Sequence, residues 1–239
     1  MKKIILLTGA SGNIGSRLFQ ALKKYKCYGV YSQNNNNNNK LIKCDLRNKN
    51  KLKSLIEKIK PDIVIHLAAM TNPGQNEKYP KKSKELNFDI TNNLIKNLKK
   101  ETHLIFFSTD KVYTSKKSIY DERSIARPTG LYAKYKLKSE IIIKKKFKKN
   151  HIFRMSVVHS NGSDKKFSII DNQIFSLKKK KKVKIFNNVK RCFVDVDELV
   201  DFIPQTFDNK NYGTYNIGAK LCSYTERVKK VCKQKKITL

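Results

Sequence analysis

The sequence lacks the cysteine and histidine patterns that mark a disulfide framework or a zinc site. Its five cysteines are odd in number, scattered, and form no Cys-x-x-Cys pair. The four histidines are also scattered, and no cluster of carboxylates accompanies them. We therefore expect reduced thiols, as in the cytosol, and no metal site.

Long apolar runs are missing as well. No stretch approaches the roughly 20 consecutive apolar residues that cross a bilayer. The opening "MKKIILLTGASG" has two lysines and then the apolar Ile4 to Leu7, but this run is too short for a signal peptide and meets a glycine-rich turn. It predicts a buried first strand, and we expect a soluble, cytoplasmic protein with no membrane segment.

Acidic residues and arginines are scarce beside lysine. Lys and Arg total 53 against 19 Asp and Glu, a formal net charge of +34. Such an excess suggests nucleic-acid binding, yet only seven of these residues are arginines, whose planar fork reads bases and phosphates. The lysines accompany abundant isoleucine and the run Asn34 to Asn39, which indicates a compositional bias at surface positions such as Lys178 to Lys182. We expect no nucleic-acid partner.

Strand-like and helix-like patterns alternate over the first 160 residues. Ile4 to Leu7 are continuously apolar, as in a parallel strand buried on both faces, and Leu18, Ala21 and Leu22 follow at helical spacing. The alternation predicts an α/β fold with a Rossmann-like, doubly wound parallel sheet. Predicted strands cover 4–7, 27–31, 41–46, 62–69, 103–109 and 151–156, and predicted helices cover 16–25, 49–60, 86–100 and about 129–148.

Three of the nine glycines, Gly9, Gly12 and Gly15, lie within seven residues between the first strand and the first helix. A dinucleotide requires this context, because its pyrophosphate needs a tight turn, a close backbone and a helix N-terminus. A plain strand-to-helix turn would need one glycine. The turn predicts a dinucleotide site.

Residues after the second and third strands bear on which cofactor binds. Asp45 is a candidate hydrogen-bond acceptor for the adenine amino group, with a helix N-cap or loop acid as the alternative. The second strand ends in Tyr31, Ser32 and Gln33 without the carboxylate that accepts a ribose hydroxyl. Arg17, Ser32 and Lys40 are instead candidates to meet a 2′-phosphate. We expect NADPH in preference to NADH.

Beyond residue 160 the pattern weakens, with helices predicted at 167–179 and 196–207 and strands at 183–186 and 213–218. We predict an NAD(P)-binding Rossmann-like region at 1–160 and a short substrate-side lobe at 161–239. The lobe is interleaved with the end of the sheet, so that the whole forms one compact domain.

Two Tyr-x-x-x-Lys sequences occur, about as many as chance predicts in a chain so rich in lysine. Tyr113 and Lys117 fall in a loop, whereas Tyr132 and Lys136 fall in a predicted helix, where residues four apart share a face. An adjacent ammonium would lower the phenol pKa, so that Tyr132 could exchange a proton with a substrate oxygen near neutrality. Thr109, at the end of a parallel strand, is a candidate to polarise the same oxygen.

The segments "TGASGNIG", "CDL", "PDIVIHLAA", "FSTDKVY", "RPTGLYAKYKLKSE" and "FRMSVV" occur in the order seen in extended short-chain dehydrogenases/reductases. "STDKVY" and "AAMTNPGQNEKYPKKSKELN" most resemble the dTDP-4-dehydrorhamnose reductases, which are nucleotide-sugar reductases. The resemblance implies an NAD(P)H-dependent oxidoreductase of dTDP-rhamnose biosynthesis type, with a nucleotide-linked 4-keto sugar as its small-molecule substrate and a homodimer as a compatible assembly.

The resemblance also implies roles for individual residues. Thr109, Tyr132 and Lys136 would be catalytic, and Tyr113 would be a packing or substrate-side residue. Ala133, Tyr135 and Ser139 depart from the family pattern. The implied cofactor contacts are Gly9, Ser11, Gly12, Asn13, Ile14, Asp45, Leu46, Ala68 and Ala69, together with Gly15 and Ser32 from the patterns above and Tyr132 and Lys136 themselves; Met70 and Arg154 would line the substrate side.

Three other functions remain as alternatives. A nucleotide-sugar epimerase would retain bound NAD, while a dehydratase is disfavoured because Lys111, not glutamate, follows Asp110. A non-catalytic NADP-binding regulator is favoured by the short lobe and by the bulk of Tyr135, and is opposed by the intact triad. His66, inside a predicted strand, is expected to be a satisfied core histidine, and the acids from Asp195 to Asp201 are expected to begin a helix.

Overall fold

The structure is a computed structural model that describes residues 3–34, 38–114, 119–160 and 168–237. Residues 35–37 of the asparagine run, predicted to be disordered, lie outside the described residues. The chain divides into two compact units, the first formed by Met1–Arg154 and Ile203–Asn216 and the second by Met155–Phe202 and Ile217–Leu239. The chain therefore passes between the units at three points, after residues 154, 202 and 216.

The first unit contains a seven-stranded sheet of the predicted Rossmann-like class, and its first strand in the chain lies at the switch point of the strand order. From one edge to the other the strands are β3 (Ile42–Lys43), β2 (Lys26–Tyr31), β1 (Ile4–Thr8), β4 (Ile63–His66), β5 (His103–Thr109), β6 (Asn150–Met155) and β9 (Gly213–Ile217). β1 pairs in parallel with β2 on one side and with β4 on the other. The crevice where such sheets bind ligands therefore lies at the carboxyl ends of β1 and β4.

Six helices accompany this sheet among the described residues, and none is long and apolar enough to cross a membrane. They are α1 (Asn13–Ala21), α2 (Lys49–Ile59), α3 (Pro73–Lys78), α4 (Pro80–Lys84), α5 (Ile90–Lys96) and α6 (Leu131–Lys146), with a π-helical turn at Glu85–Asp89.

Apolar side chains of the strands and of the helices fill the space between the sheet and the helices that cover it. Leu6, Val64 and Phe106 from the central strands pack with Leu52 of α2 and Leu94 of α5, and each is at most 1% exposed. The uninterrupted apolar runs of β1, β4 and β5 follow from this burial, since strands covered by helices leave no solvent-facing positions. A rigid sheet thus supports the loops at its carboxyl edge.

The second unit has a three-stranded sheet of its own, in the order β10 (Leu221–Ser223), β8 (Lys190–Asp195) and β7 (Val157–His159). β7 and β8 are parallel, while β8 and β10 are antiparallel. Helix α7 (Ile169–Lys178) and helix α9 (Tyr224–Gln234) bury Ile170, Ile174, Val228 and Val231 against Phe193. Helix α8 (Val196–Phe202) follows β8 directly.

The prediction was least accurate in this second unit. Residues 183–186 form no strand: the Lys184 carbonyl accepts a hydrogen bond from the Gln173 side chain, and Phe186 is 55% exposed. The strands β7, β8 and β10 and helix α9 were not predicted. The acids at the start of α8 do begin a helix, because the Asp195 carboxylate accepts the N–H of Asp197.

In the first unit, helices α3 and α4 were also missed, and the third strand spans only two residues rather than 41–46. Both short helices begin with proline at the first turn, a position where a missing N–H costs nothing. The prolines were therefore start signals.

Candidate active site

The glycine-rich turn joins β1 to α1. Gly9 has a φ of 70°, and a Cβ there would lie 2.8 Å from the backbone nitrogen of Ala68. A Cβ on Gly15 would lie 2.1 Å from the Gly9 carbonyl oxygen. Both positions therefore require glycine, and the turn after β1 lies directly against the loop after β4.

The N-terminus of α1 suits an anion. Its N-cap is the exposed Gly12, no side chain caps the helix, and its first turn carries no acidic residue. The first N–H groups of a helix need acceptors from outside it and attract phosphate. Ser11, Asn13 and Ile14 border this position and are half-buried. The residues present fit the pyrophosphate of a dinucleotide.

The residues predicted to contact a 2′-phosphate indicate a phosphate site less clearly than the N-terminus of α1 does. Ser32 and Lys40 are exposed. The guanidinium of Arg17 donates to the Asn13 side-chain oxygen at 2.6 Å, so it is engaged within the helix. The preference for NADPH stays a prediction.

Asp45 behaves as a loop acid, the alternative considered from the sequence. Its carboxylate accepts the backbone N–H of Arg47 and pairs with the Arg47 guanidinium at 2.6 Å. These hydrogen bonds hold the pKa of Asp45 below its usual value. Asn48 caps α2 instead, and Leu46 is buried. Asp45 also lines a 600 Å³ cavity with Asn48, Glu85, Asp89 and Asn93, and its adenine role stays a prediction.

His66 is a core histidine, as predicted. It is 1% exposed, and its ring nitrogens are hydrogen-bonded to the hydroxyls of Thr8 at 2.7 Å and Thr91 at 2.9 Å. Burial, with the nearby Lys136, lowers the pKa of His66 to about 3. The ring is therefore neutral at physiological pH, and both of its nitrogens are occupied.

The loop after β4 carries Ala68, Ala69 and Met70, all half-buried. The Met70 N–H donates to the Asn87 side chain at 3.1 Å, and the Met70 carbonyl accepts from the Asn76 side chain at 2.8 Å. Asn76 and Asn87 are almost completely buried and are hydrogen-bonded to each other. The loop is thus fixed by a buried amide network.

Thr109 is the last residue of β5 and is 6% exposed. Its hydroxyl oxygen accepts the backbone N–H of Lys111 at 3.2 Å, which starts a 3-10 turn. This leaves the hydroxyl hydrogen of Thr109 to donate elsewhere.

Tyr132 and Lys136 lie one turn apart on α6, as the sequence predicted. Tyr132 is half-buried, and within the described residues its hydroxyl has no hydrogen bond. Lys136 is 2% exposed, with its ammonium 3.9 Å from the Phe106 ring centroid. The charge of Asp110, which follows β5, acts on Tyr132, and the charge of Lys136 acts on His66, the last residue of β4. Tyr132 and Lys136 therefore both adjoin the carboxyl edge of these two strands.

One prediction about this pair was wrong. Burial and the nearby Asp110 raise the pKa of Tyr132 instead of lowering it. Burial also lowers the pKa of Lys136 to about 7, against the opposing effect of Glu140. The direction for Tyr132 follows because burial disfavours the charged phenolate and a nearby carboxylate repels it.

Arg154 on β6 is 5% exposed and forms an ion pair with Glu140 of α6 at 2.7 Å. It also donates to the Tyr113 hydroxyl at 2.6 Å. The structure therefore engages Arg154 inside the unit. Its place on the substrate side stays a prediction.

Sequence reasoning missed the buried polar partners of α6. Glu140 accepts from Ser108 of β5, and the Ser139 hydroxyl donates to the Asn87 carbonyl at 2.9 Å. Ser139 thus has a use at a position where the family usually has glycine. The available signal was spacing, because Ser139 and Glu140 fall three and four residues after Lys136, on its side of the helix.

Two histidines distant in sequence also meet at the opposite edge of the sheet. His103 begins β5 and His151 lies at the start of β6, with 2.7 Å between their ring nitrogens. Burial lowers the pKa of His103 to about 4. Among the described residues, no three His, Cys, Asp or Glu side chains gather as metal ligands would.

The glycine turn, the strand order and the Tyr-Lys helix are those of an extended short-chain dehydrogenase/reductase, which confirms the resemblance. A family model described as the RmlD substrate binding domain matches residues 1–238, and the chain belongs to that family.

The individual proteins that resemble this chain do so at low sequence identity. Methionine adenosyltransferase 2 subunit beta from Bos taurus is 28% identical over 137 residues, which are 57% of this chain and 41% of the relative. The chain thus aligns with less than half of the length of such curated relatives. A dTDP-4-dehydrorhamnose reductase from Bacillus anthracis, solved with NADP, has a TM-score of 0.85 at 23% identity, covering 100% of this chain and 83% of that one. UDP-glucose 4-epimerase from Thermotoga maritima has a TM-score of 0.86 at 20% identity, covering 98% and 83%.

Proposed function

We propose that this protein is an NADPH-dependent reductase of a nucleotide-linked 4-keto sugar, resembling dTDP-4-dehydrorhamnose reductase. The observation that carries the proposal is the hydroxyl of Tyr132. It lies on α6 one turn before Lys136, beside the carboxyl edge of the sheet, and has no hydrogen-bond partner among the described residues. A phenol in that setting is available to a substrate oxygen.

The glycine turn fits a dinucleotide, because Gly9 and Gly15 have no room for a side chain and α1 starts uncapped. We assign the pyrophosphate to the backbone of Gly12, Asn13 and Ile14. When bound, a nicotinamide cofactor would supply a hydride to the keto carbon. The protein would bind and orient the cofactor and the substrate, and would supply the proton.

Tyr132 would give its proton to the oxygen of the reduced carbonyl. Because its pKa is raised, Tyr132 keeps its proton at neutral pH, as a donor in the direction of reduction must. Thr109 would orient the carbonyl with its free hydroxyl hydrogen. Lys136, whose pKa is about 7, would hold the cofactor ribose and exchange protons near neutrality.

The proposed substrate is small and reaches the site past Met70, which a buried amide network fixes in place. The cytoplasm remains the expected location, where nucleotide sugars and reduced thiols occur together. The family and the fold support the general class of substrate, and the identity of the sugar is open to direct assay.

The test is NADPH oxidation, followed at 340 nm, with a panel of nucleotide-linked 4-keto sugars. The wild type should oxidise NADPH with at least one of them, and Tyr132→Phe should not. Tyr113→Phe is the matched control, since it removes the same atom from the other tyrosine of the same spacing. Equal loss in both variants would contradict the role of Tyr132.

A second candidate is a non-catalytic NADPH-binding subunit. The similarity to methionine adenosyltransferase 2 subunit beta favours it, since that name describes a subunit of a larger enzyme. It predicts NADPH binding by calorimetry without turnover of any sugar, and no change in binding in Tyr132→Phe.

The structural similarity to UDP-glucose 4-epimerase keeps epimerisation as an outcome of the same test. An epimerase would be purified with bound NAD, visible as nucleotide absorbance after denaturation. It would also convert a nucleotide sugar to its epimer without net oxidation of added NADPH.

A further inference from the structure

Glu140 lies on the same side of α6 as Lys136, four residues later, and the two side chains are 1% and 2% exposed. A carboxylate this deeply buried requires partners for both oxygens, since an unpaired buried charge is costly. Its partners therefore show what the residue is placed to do.

Those partners come from two strands of the sheet. One carboxylate oxygen accepts the Ser108 hydroxyl, and the other accepts from the Arg154 guanidinium at 2.7 Å. Ser108 is the residue immediately before Thr109 on β5. Glu140 thus connects the helix that carries Tyr132 and Lys136 to the strand that carries Thr109.

Glu140 is also the acidic group whose charge acts on Lys136. Burial lowers the pKa of Lys136 and Glu140 raises it, with the result at about 7. The other groups shown to act on or contact Lys136 are the neutral His66 of β4 and the Phe106 ring of β5. Neither of them supplies a compensating negative charge at neutral pH.

We propose that Glu140 is a positioning residue of this site: it holds α6 in register with Thr109 through Ser108 and Arg154, and supplies the negative charge that faces the Lys136 ammonium. The proposal rests on the proposed function for its consequence in catalysis, but its physical content does not depend on turnover. It predicts that removing the charge at 140 makes Lys136 easier to deprotonate.

The first experiment is therefore independent of substrate. Urea unfolding of the full chain is measured for the wild type, Glu140→Gln, Lys136→Met and the double variant, at pH 6 and at pH 9. Coupling between the two positions should be present at pH 6, where Lys136 is charged, and lost at pH 9, where it is neutral. Coupling that is equal at both pH values would overturn the proposal.

Glu140→Gln leaves the buried Arg154 without its counter-charge and so risks unfolding. The same cycle is then run in an Arg154→Met background, where Glu140→Gln completes the removal of both charges of the ion pair. Glu57→Gln, an exposed glutamate on α2, is the matched control and should show no coupling to Lys136.

The second experiment applies where the wild type turns over. We expect kcat/KM to fall above about pH 7 as Lys136 loses its proton, and this limb should move down by about one pH unit in Glu140→Gln. A purely structural role would lower kcat without moving the limb. A silent wild type that still shows the pH-dependent coupling would contradict the reductase and leave the placement of Glu140 supported.

Discussion

Tyr113 and Tyr132 are each followed four residues later by lysine, yet the structure treats them differently. The Tyr113 hydroxyl accepts from Arg154 at 2.6 Å and lies 2.9 Å from the Asp121 carbonyl and 3.0 Å from the Asn216 side-chain oxygen. Its ring also stacks on Tyr120. The Tyr132 hydroxyl has no hydrogen bond within the described residues.

The difference shows that the Tyr-x-x-x-Lys spacing indicates a shared site only where both residues lie on one helix. Tyr113 follows β5 in a loop, and Lys117 lies outside the described residues. Tyr132 and Lys136 lie on a continuous helix, where the spacing brings both to one side. One phenol is therefore a buried structural group, and the other is the one for which proton transfer is proposed.

The largest expected effect is on catalysis. Removing the hydroxyl in Tyr132→Phe should lower kcat by about 10²- to 10⁴-fold, the usual contribution of a positioned general acid. Unfolding free energy should stay within about 0.5 kcal/mol of wild type, because the hydroxyl has no partner to lose. Steady-state kinetics and urea unfolding check both parts. A loss of unfolding free energy as large as the free-energy equivalent of the fall in kcat would contradict the distinction between the two tyrosines.

The next effect concerns the lysine beside Tyr132. The folded-state pKa of Lys136 is lowered from 10.5 to about 7, so between these values the unfolded chain binds more protons than the native one. Stability should therefore rise with pH from about 7 towards 10, by at most about 1.4 kcal/mol per pH unit. Urea unfolding at pH 7, 8 and 9 measures this slope. Lys136→Met should flatten it, and an unchanged slope would mean that Lys136 is charged in the fold.

Tyr113→Phe should act mainly on stability. It deprives the buried Arg154 of an acceptor and Asn216 of a donor, which should cost about 1–3 kcal/mol. Activity should change by less than about tenfold. Thermal unfolding and steady-state kinetics on the same preparation provide the comparison, and a catalytic loss matching that of Tyr132→Phe would be the contrary result.

The smallest effect comes from the stacking partner of Tyr113. The two rings are 4.8 Å apart and nearly parallel, and such pairs contribute about 0.5–1.5 kcal/mol beyond their buried area. Tyr120→Leu should lose about this much in urea unfolding and leave kcat unaltered. Tyr120→Phe, which keeps the ring, should retain most of the stability.

The predictable parts of this molecule were those governed by local pattern. Strand β5 was predicted at its observed bounds because seven successive buried residues leave little ambiguity. The glycine turn was predictable because its crowding against Ala68 tolerates no side chain. Helix α9 is a different case, since the capping box of Ser223 and Glu226 was a legible start signal that was overlooked.

The rest depended on contacts between distant residues. No local pattern indicates that Glu140 meets Ser108 and Arg154, or that His103 meets His151. The direction of the Tyr132 pKa was mistaken for the same reason, because burial and Asp110 both disfavour the phenolate. Charge and desolvation at a site are set by packing that spacing alone does not describe.

The edge strand of the first unit has a consequence for biosynthesis. β9 joins β6 only after the chain has passed through Met155–Phe202 of the other unit, and Asn216 follows its partner Tyr113 by 103 residues. During synthesis, the β6 edge of the sheet therefore stays unpaired until residue 217 has left the ribosome. Chaperone engagement should be strongest in that interval, and an excision of the second unit would have to retain 203–217.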